Sequence, residues 1–245
     1  MSVAYLSRAR VGGSTVSIEV HCVHLQIPLA NDELYAVNYL AHLYLAADHH
    51  DAVLGSLMGD FVKGPLAADI PQRRRQAIEQ HRWVDSWTDS HPIVKRSKAR
   101  ISPRFRRYAP ILIDVFYDHF LALSWRDHAR VELPAFTDHI YQVLGAHHAL
   151  LPERMQPLAS YMAEFDLLGS YQHVAGIRRA LRGIERRLKR PSDLAAALVE
   201  LETHYQSLAA DFQAFLPQLV YAVDKRDRDA GWSLPSHYTH RAVLM

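Results

Sequence analysis

The sequence predicts an all-α fold built as a single compact multi-helix domain, on three observations. Glycine is scarce, at 10 of 245 residues. From about residue 32 onward the apolar residues recur with a helical period rather than alternating. Prolines and N-cap residues punctuate the chain at spacings that suit ordinary helices. Asn31 is placed to cap a helix through "DELYAVNYLAHLYLAA". A second helix covers "DAVLGSLMGDFVKG" and ends near Gly64 and Pro65. A third runs from about Pro71 to Ser90 and stops before Pro92. Ser102 and Pro103 read as an N-cap followed by proline at the first helical position. The helix they open carries "RFRRYAPILIDVFYDHFLALSW", with Pro110 expected to break or kink it. Further helices are expected near 134–148, 153–166 and 171–189. Pro191 and Ser192 then begin a long helix, "DLAAALVELETHYQSLAADFQAFLPQLVYAV", expected to bend near Pro217.

Residues 1–30 depart from this pattern. "STVSIEVHCVHLQI" alternates like a strand, with Val16, Ile18 and Val20 on one face. A lone strand has nothing to pair with in a helical domain. It is expected to be disordered, to pair with a copy of itself, or to belong to an extension upstream of the true start. The stretch after about Asp224 reads as a loose tail. The expected organisation is a non-domain extension over 1–36, the helical domain over 37–225 and a tail over 226–245.

Hydrophobic residues make up 49% and charged residues 22%, which is ordinary for a soluble globular protein. No apolar run approaches the roughly 20 residues that span a bilayer, and no signal peptide is visible. Cys22 is the single cysteine, which excludes an internal disulfide and any CxxC metal pair. A reducing, cytoplasmic setting is expected. Neither a Gly-rich nucleotide loop nor a G-x-S-x-G elbow is present. Net charge is +2, and sixteen histidines make metal or proton chemistry worth tracing. Positive charge clusters at Arg73–Arg75, Lys95–Arg107 and Arg178–Arg190. Such stripes suit an acidic partner, or are solvated helix faces.

Four stretches carry candidate chemistry. In "HRWVDSWTDSHP", with His81 at 0° on a helical wheel, Asp85 falls at about 40° and Asp89 at about 80°. Trp83, Val84 and Trp87 occupy the opposite side. The polar face either holds a metal or lies in water. In "DVFYDHF", Asp114 and Asp118 are one turn apart on an otherwise apolar helix, with His119 at the edge of the polar face. Burying two carboxylates costs several kcal/mol unless a cation or donors compensate. A divalent metal would do so, as would an ion pair with Arg82 or Arg107. "GDFVKG" offers Asp60 as ligand or base and Lys63 for a phosphate, with glycines that let a ligand approach the backbone. In "NYLAHLYLA", His42 is a ligand or a satisfied core histidine. Mixed imidazole and carboxylate sets suit manganese, iron or magnesium. Helical sites of this kind typically hydrolyse phosphoesters.

"NYLAHLYLA", "LMGDFVKG", "HRWVDSWTDSHP" and "APILIDVFYDHFL", in this order and at these spacings, closely resemble the bacterial acyl carrier protein phosphodiesterases. The resemblance spans about 37–225, and "LETHYQSLAADFQAFLPQL" is similar to that family's last helix. Family members usually begin Met-Asn-Phe/Tyr-Leu-Ala-His. Val37 stands at the methionine position here, so 1–36 is expected to be a misassigned extension. The family is considered a distant relative of the HD phosphohydrolases, which implies an HD-domain-like fold. This sequence has Asp118–His119 where HD enzymes have His–Asp, so ligands do not transfer one by one from that superfamily.

The resemblance implies a cytoplasmic enzyme of lipid metabolism. It would cleave 4′-phosphopantetheine from holo-acyl carrier protein with a divalent metal, manganese favoured over magnesium or iron. The implied metal set is His42, Asp60, His81, Asp114, Asp118 and His119. Lys63 or Arg82 would stabilise the phosphoryl oxygens, and Asp85 or Asp89 would orient water. Arg73, Arg74, Arg75, Arg104, Arg106 and Arg107 would dock the acidic carrier. Two other readings are a phosphohydrolase of a nucleotide or another small phosphoester, and a non-enzymatic helical protein holding nucleic acid. The latter leaves the Asp-rich apolar helices unexplained.

Overall fold

In the computed structural model, residues 6–11, 14–19, 38–46, 48–188 and 192–232 are described. The expected helix start at Asn31, the strand beyond Glu19, Pro191 and the tail from 233 lie outside them. The chain divides into two compact units, Met1–Ala30 and Asn31–Met245. In the first, β1 (Leu6–Val11) pairs antiparallel with β2 (Ser14–Glu19), in a register from Leu6↔Glu19 to Val11↔Ser14. The expected lone strand therefore finds its partner eight residues upstream, within its own chain.

The second unit is all-α. Its described helices are α1 (Tyr39–Leu45), α2 (His50–Met58), α3 (Gln72–Ser90), α4 (Pro92–Arg100), α5 (Ala109–Leu123), α6 (Trp125–His128), α7 (Leu133–Ala146), α8 (Gln156–Glu164), α9 (Leu167–Ser170), α10 (Val174–Glu185) and α11 (Leu198–Asp229). None is long and apolar enough to cross a membrane.

The centre is α5. Leu112, Ile113, Val115, Phe116 and Leu121 are all fully buried, as a helix apolar on nearly every side must be. α1, α4, α10 and α11 pack around it, and α2 packs on α1 and α3. The α2–α3 contact is close because Gly55 has no side chain. A Cβ there would lie 2.4 Å from the Arg74 carbonyl oxygen and 2.8 Å from the Ala77 Cβ.

Several helix limits differ from the sequence reading, and α2 stops at Met58 rather than near Gly64. Pro110 starts α5 instead of breaking a longer helix, because proline in a first turn sacrifices an N–H that has no partner there. His91 opens an unexpected helix, α4. Its Nδ1 accepts the Ile93 N–H at 3.3 Å, and Pro92 follows at the first position. In α11 the backbone departs from helical angles at His204 (φ −111°, ψ 15°), not at Pro217. This kink immediately precedes Tyr205, whose hydroxyl meets His119 on α5 at 3.3 Å. α11 also continues past Val223, where the expected helix ended, to Asp229, and Asp227 is buried with an oxygen 2.7 Å from Gln80 Nε2.

Part of the basic run 95–107 is internal bracing. Asp211 on α11 accepts Arg96 Nη2 at 2.5 Å, Arg100 Nε at 3.2 Å and Ser97 Oγ at 2.8 Å. Glu200 accepts the Ser102 backbone N–H at 3.0 Å and its hydroxyl at 2.5 Å.

Gly55→Ala is expected to destabilise the fold by about 1–3 kcal/mol through overpacking. Gly183→Ala, where an added Cβ meets nothing within 4 Å, should be neutral or stabilising by about 0.5–1 kcal/mol. Urea unfolding of the two variants checks the contrast.

Candidate active site

The site is built where α1, α2 and α3 meet. His42 (α1) and His81 (α3) are buried, and their rings stack at 3.8 Å with 19° between planes. Asp85, one turn beyond His81, reaches both. Its Oδ1 lies 3.0 Å from His42 Nε2 and its Oδ2 lies 3.2 Å from His81 Nε2. Asp60, just past α2, brings Oδ1 within 3.3 Å of the same His81 nitrogen. His81 Nδ1 lies 2.6 Å from the Ser56 carbonyl oxygen. A carbonyl only accepts, so Nδ1 carries a proton and Nε2 faces the two carboxylates.

Close packing holds this ring in place. A Cβ at Gly59 would lie 2.2 Å from His81 Cδ2 and Cγ. The glycine of "GDFVKG" admits the histidine ring, not the ligand expected from sequence. Ser56 also donates its hydroxyl to the His42 carbonyl oxygen at 2.8 Å, so one residue ties α1, α2 and α3 together. Sequence reasoning passed over Ser56. Its signal was a small polar residue in an apolar helix, one turn before Asp60.

The charges follow from burial and pairing. For His81, burial favours the neutral form, but the bonds and charges of Asp60 and Asp85 outweigh it and raise the pKa to about 10. For Asp85, burial pushes the other way, yet His42 and His81 hold it well below the usual carboxylate range. His42 is lowered, by burial first and by the charge on His81 second. Asp114 on α5 is half-buried near the same carboxylates. Burial, then the charges of Asp85, Asp89 and Asp60, raise it to about 8, with Lys98 opposing.

The remaining expected site residues make other contacts. Asp118 is fully buried, and its two oxygens accept the Leu40 and Ala41 backbone N–H groups, each at 2.9 Å. Burial raises its carboxyl well above the usual range, and those two bonds oppose the shift. His119 lies about 100° round α5 from Asp118. It has Nδ1 2.7 Å from the Tyr171 carbonyl oxygen and Nε2 3.3 Å from the Tyr205 hydroxyl, and burial lowers its pKa. The histidine–carboxylate group is thus narrower than the expected ligand set, because Asp118 and His119 are taken up by neighbouring helices. Asp89 is exposed and pairs with Lys98 Nζ at 2.6 Å. Arg82 donates to the Val62 and Gly64 carbonyl oxygens, which fastens the "GDFVKG" loop to α3. Lys63 is exposed.

The six expected docking arginines differ in the same way. Arg74 is held by Asp51 at 2.6 Å, and Arg75 by the Ala67 carbonyl oxygen at 2.5 Å. Arg104 pairs with Asp193 at 2.8 Å, Arg106 donates to the Ile101 carbonyl oxygen at 2.9 Å, and Arg107 lies over Tyr108. Arg73 is exposed beside a small cavity lined by His49, Gln76, Gln80 and Trp232.

Among the described residues two groups could hold a metal ion. The ligand atoms of His42, His81 and Asp85 lie within 4.8 Å of one another, and so do those of His49, His50 and Asp51. The second group is partly committed, since Asp51 Oδ1 accepts Arg74 and His49 Nδ1 accepts the Asp51 N–H at 3.1 Å. The first combines two imidazoles with Asp85, Asp60 and Asp114 nearby. Its surplus of carboxylates suits a hard or borderline divalent ion.

Histidines and aspartates from separate helices thus converge in an all-α unit, in an arrangement that could hold a metal ion. The family model described as acyl carrier protein phosphodiesterase matches residues 37–219. Acyl carrier protein phosphodiesterase of Photorhabdus laumondii is 35% identical over 192 residues, covering 78% of this chain and 97% of that protein. The Serratia proteamaculans protein of the same name is 36% identical, covering 78% of this chain and 100% of its own length. That of Yersinia pestis is 35% identical over 185 residues, covering 75% and 96%. No solved structure matches the chain. The chain belongs to the acyl carrier protein phosphodiesterase family and is a hydrolase of the phosphoric diester class.

Gly59→Ala is expected to push the His81 ring away from Asp60 and Asp85 and to lower its pKa from about 10 toward the unperturbed 6.5. Gly145→Ala, with open space around its Cβ, should leave that pKa unchanged. NMR titration of the His81 ring in metal-free protein checks both.

Proposed function

We propose that this chain hydrolyses the phosphodiester linking 4′-phosphopantetheine to the serine of holo-acyl carrier protein. The products are apo-acyl carrier protein and free 4′-phosphopantetheine. The reaction uses a divalent ion, manganese by preference. The observation that carries the reading is the His42–His81–Asp85–Asp60 group, which falls inside the family-matched region.

The ligand types fit such an ion: two imidazoles supply nitrogen, and Asp60, Asp85 and Asp114 supply oxygen. When bound, the ion lowers the pKa of a coordinated water and offsets charge on the phosphoryl oxygens. The protein's own groups do the rest. Asp85 is both a ligand and the opening of the site. Its side chain is 37% exposed, against 2% for His42 and 1% for His81. This gradient suits a protein substrate. The scissile phosphorus is bonded to a serine on the carrier's surface and cannot travel far inward. Lys63, exposed in the loop after Asp60, is placed to meet the non-bridging oxygens. Asp89, paired with Lys98, orients groups at the rim.

The acidic carrier docks on the exposed arginines of the expected set, Arg73, Arg104, Arg106 and Arg107. Arg74 and Arg75 are chiefly structural. The enzyme works in the cytoplasm with its carrier substrate.

Incubation with holo-acyl carrier protein and Mn2+, followed by intact-mass analysis, tests the reading. Loss of the phosphopantetheine mass is expected. Asp60→Ala and Asp85→Ala should each lower kcat/KM by about 10²–10³, as removal of a key electrostatic group does. An unchanged carrier mass, with turnover of a small phosphodiester instead, would overturn the choice of substrate.

A further inference from the structure

We infer that Asp118 is a positioning residue, one that fixes the His42 imidazole ring by capping α1 from outside that helix. α1 has only seven residues. Isolated helices of that length do not hold themselves together, so its orientation must come from its neighbours. Asn38, at its N-cap position, makes no side-chain cap bond. Asp118 does so instead, from the middle of α5 and 78 positions away along the chain. Its Oδ2 takes the Leu40 N–H and its Oδ1 the Ala41 N–H, each at 2.9 Å. Both belong to the first turn, where four N–H groups lack partners within the helix.

His42 follows Ala41 directly. Its backbone carbonyl receives the Ser56 hydroxyl at 2.8 Å, and its Nε2 lies 3.0 Å from Asp85. The helix is therefore held at its start by α5 and one turn later by α2. Between these two restraints the His42 ring is set against His81, with centroids 3.8 Å apart. Both Asp118 oxygens are directed at backbone amides, so its influence on the site passes through α1. Supporting groups of this kind change metal affinity by about 10–100-fold without being ligands. The inference rests on reading the His42–His81–Asp85 group as a divalent-ion site.

Co2+, whose d–d absorption reports ligand type and number, is the probe. Asp118→Asn keeps the size and one acceptor. It is expected to retain the wild-type Co2+ spectrum while binding about 10–100-fold more weakly. His42→Ala should change the spectrum itself. Glu200→Ala is the control for stability, because Glu200 is also a buried carboxylate on a backbone N–H, that of Ser102. It should lower the unfolding temperature and leave Co2+ affinity unchanged. A changed spectrum in Asp118→Asn would make Asp118 a ligand, and an unchanged affinity would make it merely structural; either result overturns the inference.

A metal-free arm separates this from the metal reading. Asp118→Asn should shift the His42 ring resonances and leave those of His128 in place. If wild-type protein took up no Co2+, the metal reading would fall. The His42 resonances would then decide the positioning role, and unmoved resonances would end it.

Discussion

The site depends on where one nitrogen points. The Nδ1 proton of His81 is committed to the Ser56 carbonyl oxygen at 2.6 Å, and the ring is wedged against Gly59. Nε2 is thereby delivered between Asp60 and Asp85, at 3.3 and 3.2 Å. Ionised carboxylates inside a protein cost several kcal/mol each unless a cation or donors compensate. In the metal-free protein a proton on His81 supplies that compensation, which is why its pKa is raised to about 10 against the opposing effect of burial. A divalent ion would supply more charge at the same place.

The rest of the fold can be understood as support for this arrangement. α5 is buried on nearly all sides and offers one fixed reference against which short helices are set. Asp118 holds α1 from it, and Asp114 faces the acidic group from it. Ser56 links the two imidazole-bearing helices through α2. The ion pairs of Asp211 with Arg96 and Arg100 tie α11 to α4 on another side. These are not all worth the same. Arg96 is more than half exposed, so its pair with Asp211 is weakened by water. The buried backbone caps of Asp118 and Glu200 lose far more if broken, because their removal strands N–H groups away from solvent.

Much of this was legible in the sequence. The helical period of 37–225, the punctuation by proline and the order of four motifs pointed to the fold and the family. His42, Asp60, His81 and Asp85 each had a bland reading alone, as a core histidine or a solvated face, and stood out only because four helical stretches offered such residues together. Asp118 and His119 stood out as an Asp–His doublet in an apolar helix, and their side chains meet backbone groups and Tyr205 on neighbouring elements. A wheel shows which face a residue occupies and not which neighbour meets that face, so the Leu40 and Ala41 amides and Tyr171 were invisible. Likewise Pro110 reads the same at a first turn as in a helix interior until the preceding turn is known. The hairpin was half legible: alternation marked 14–19, while its partner, 6–11, carries arginines and serine that mask the pattern.

Under the proposed metal-dependent function, a divalent ion takes the place of the proton on His81 Nε2. Calorimetric titration of Mn2+ into metal-free protein near pH 7.5, in two buffers of different ionisation enthalpy, measures the protons released. With the His81 pKa raised to about 10, the free protein carries that proton at this pH and must give it up on binding. The expected result is release of between one and two protons per ion, one from His81 and a further fraction from Asp114, whose pKa is raised to about 8, with affinity that climbs as pH rises toward 10. Binding with no proton release, or affinity that does not change with pH, would contradict it.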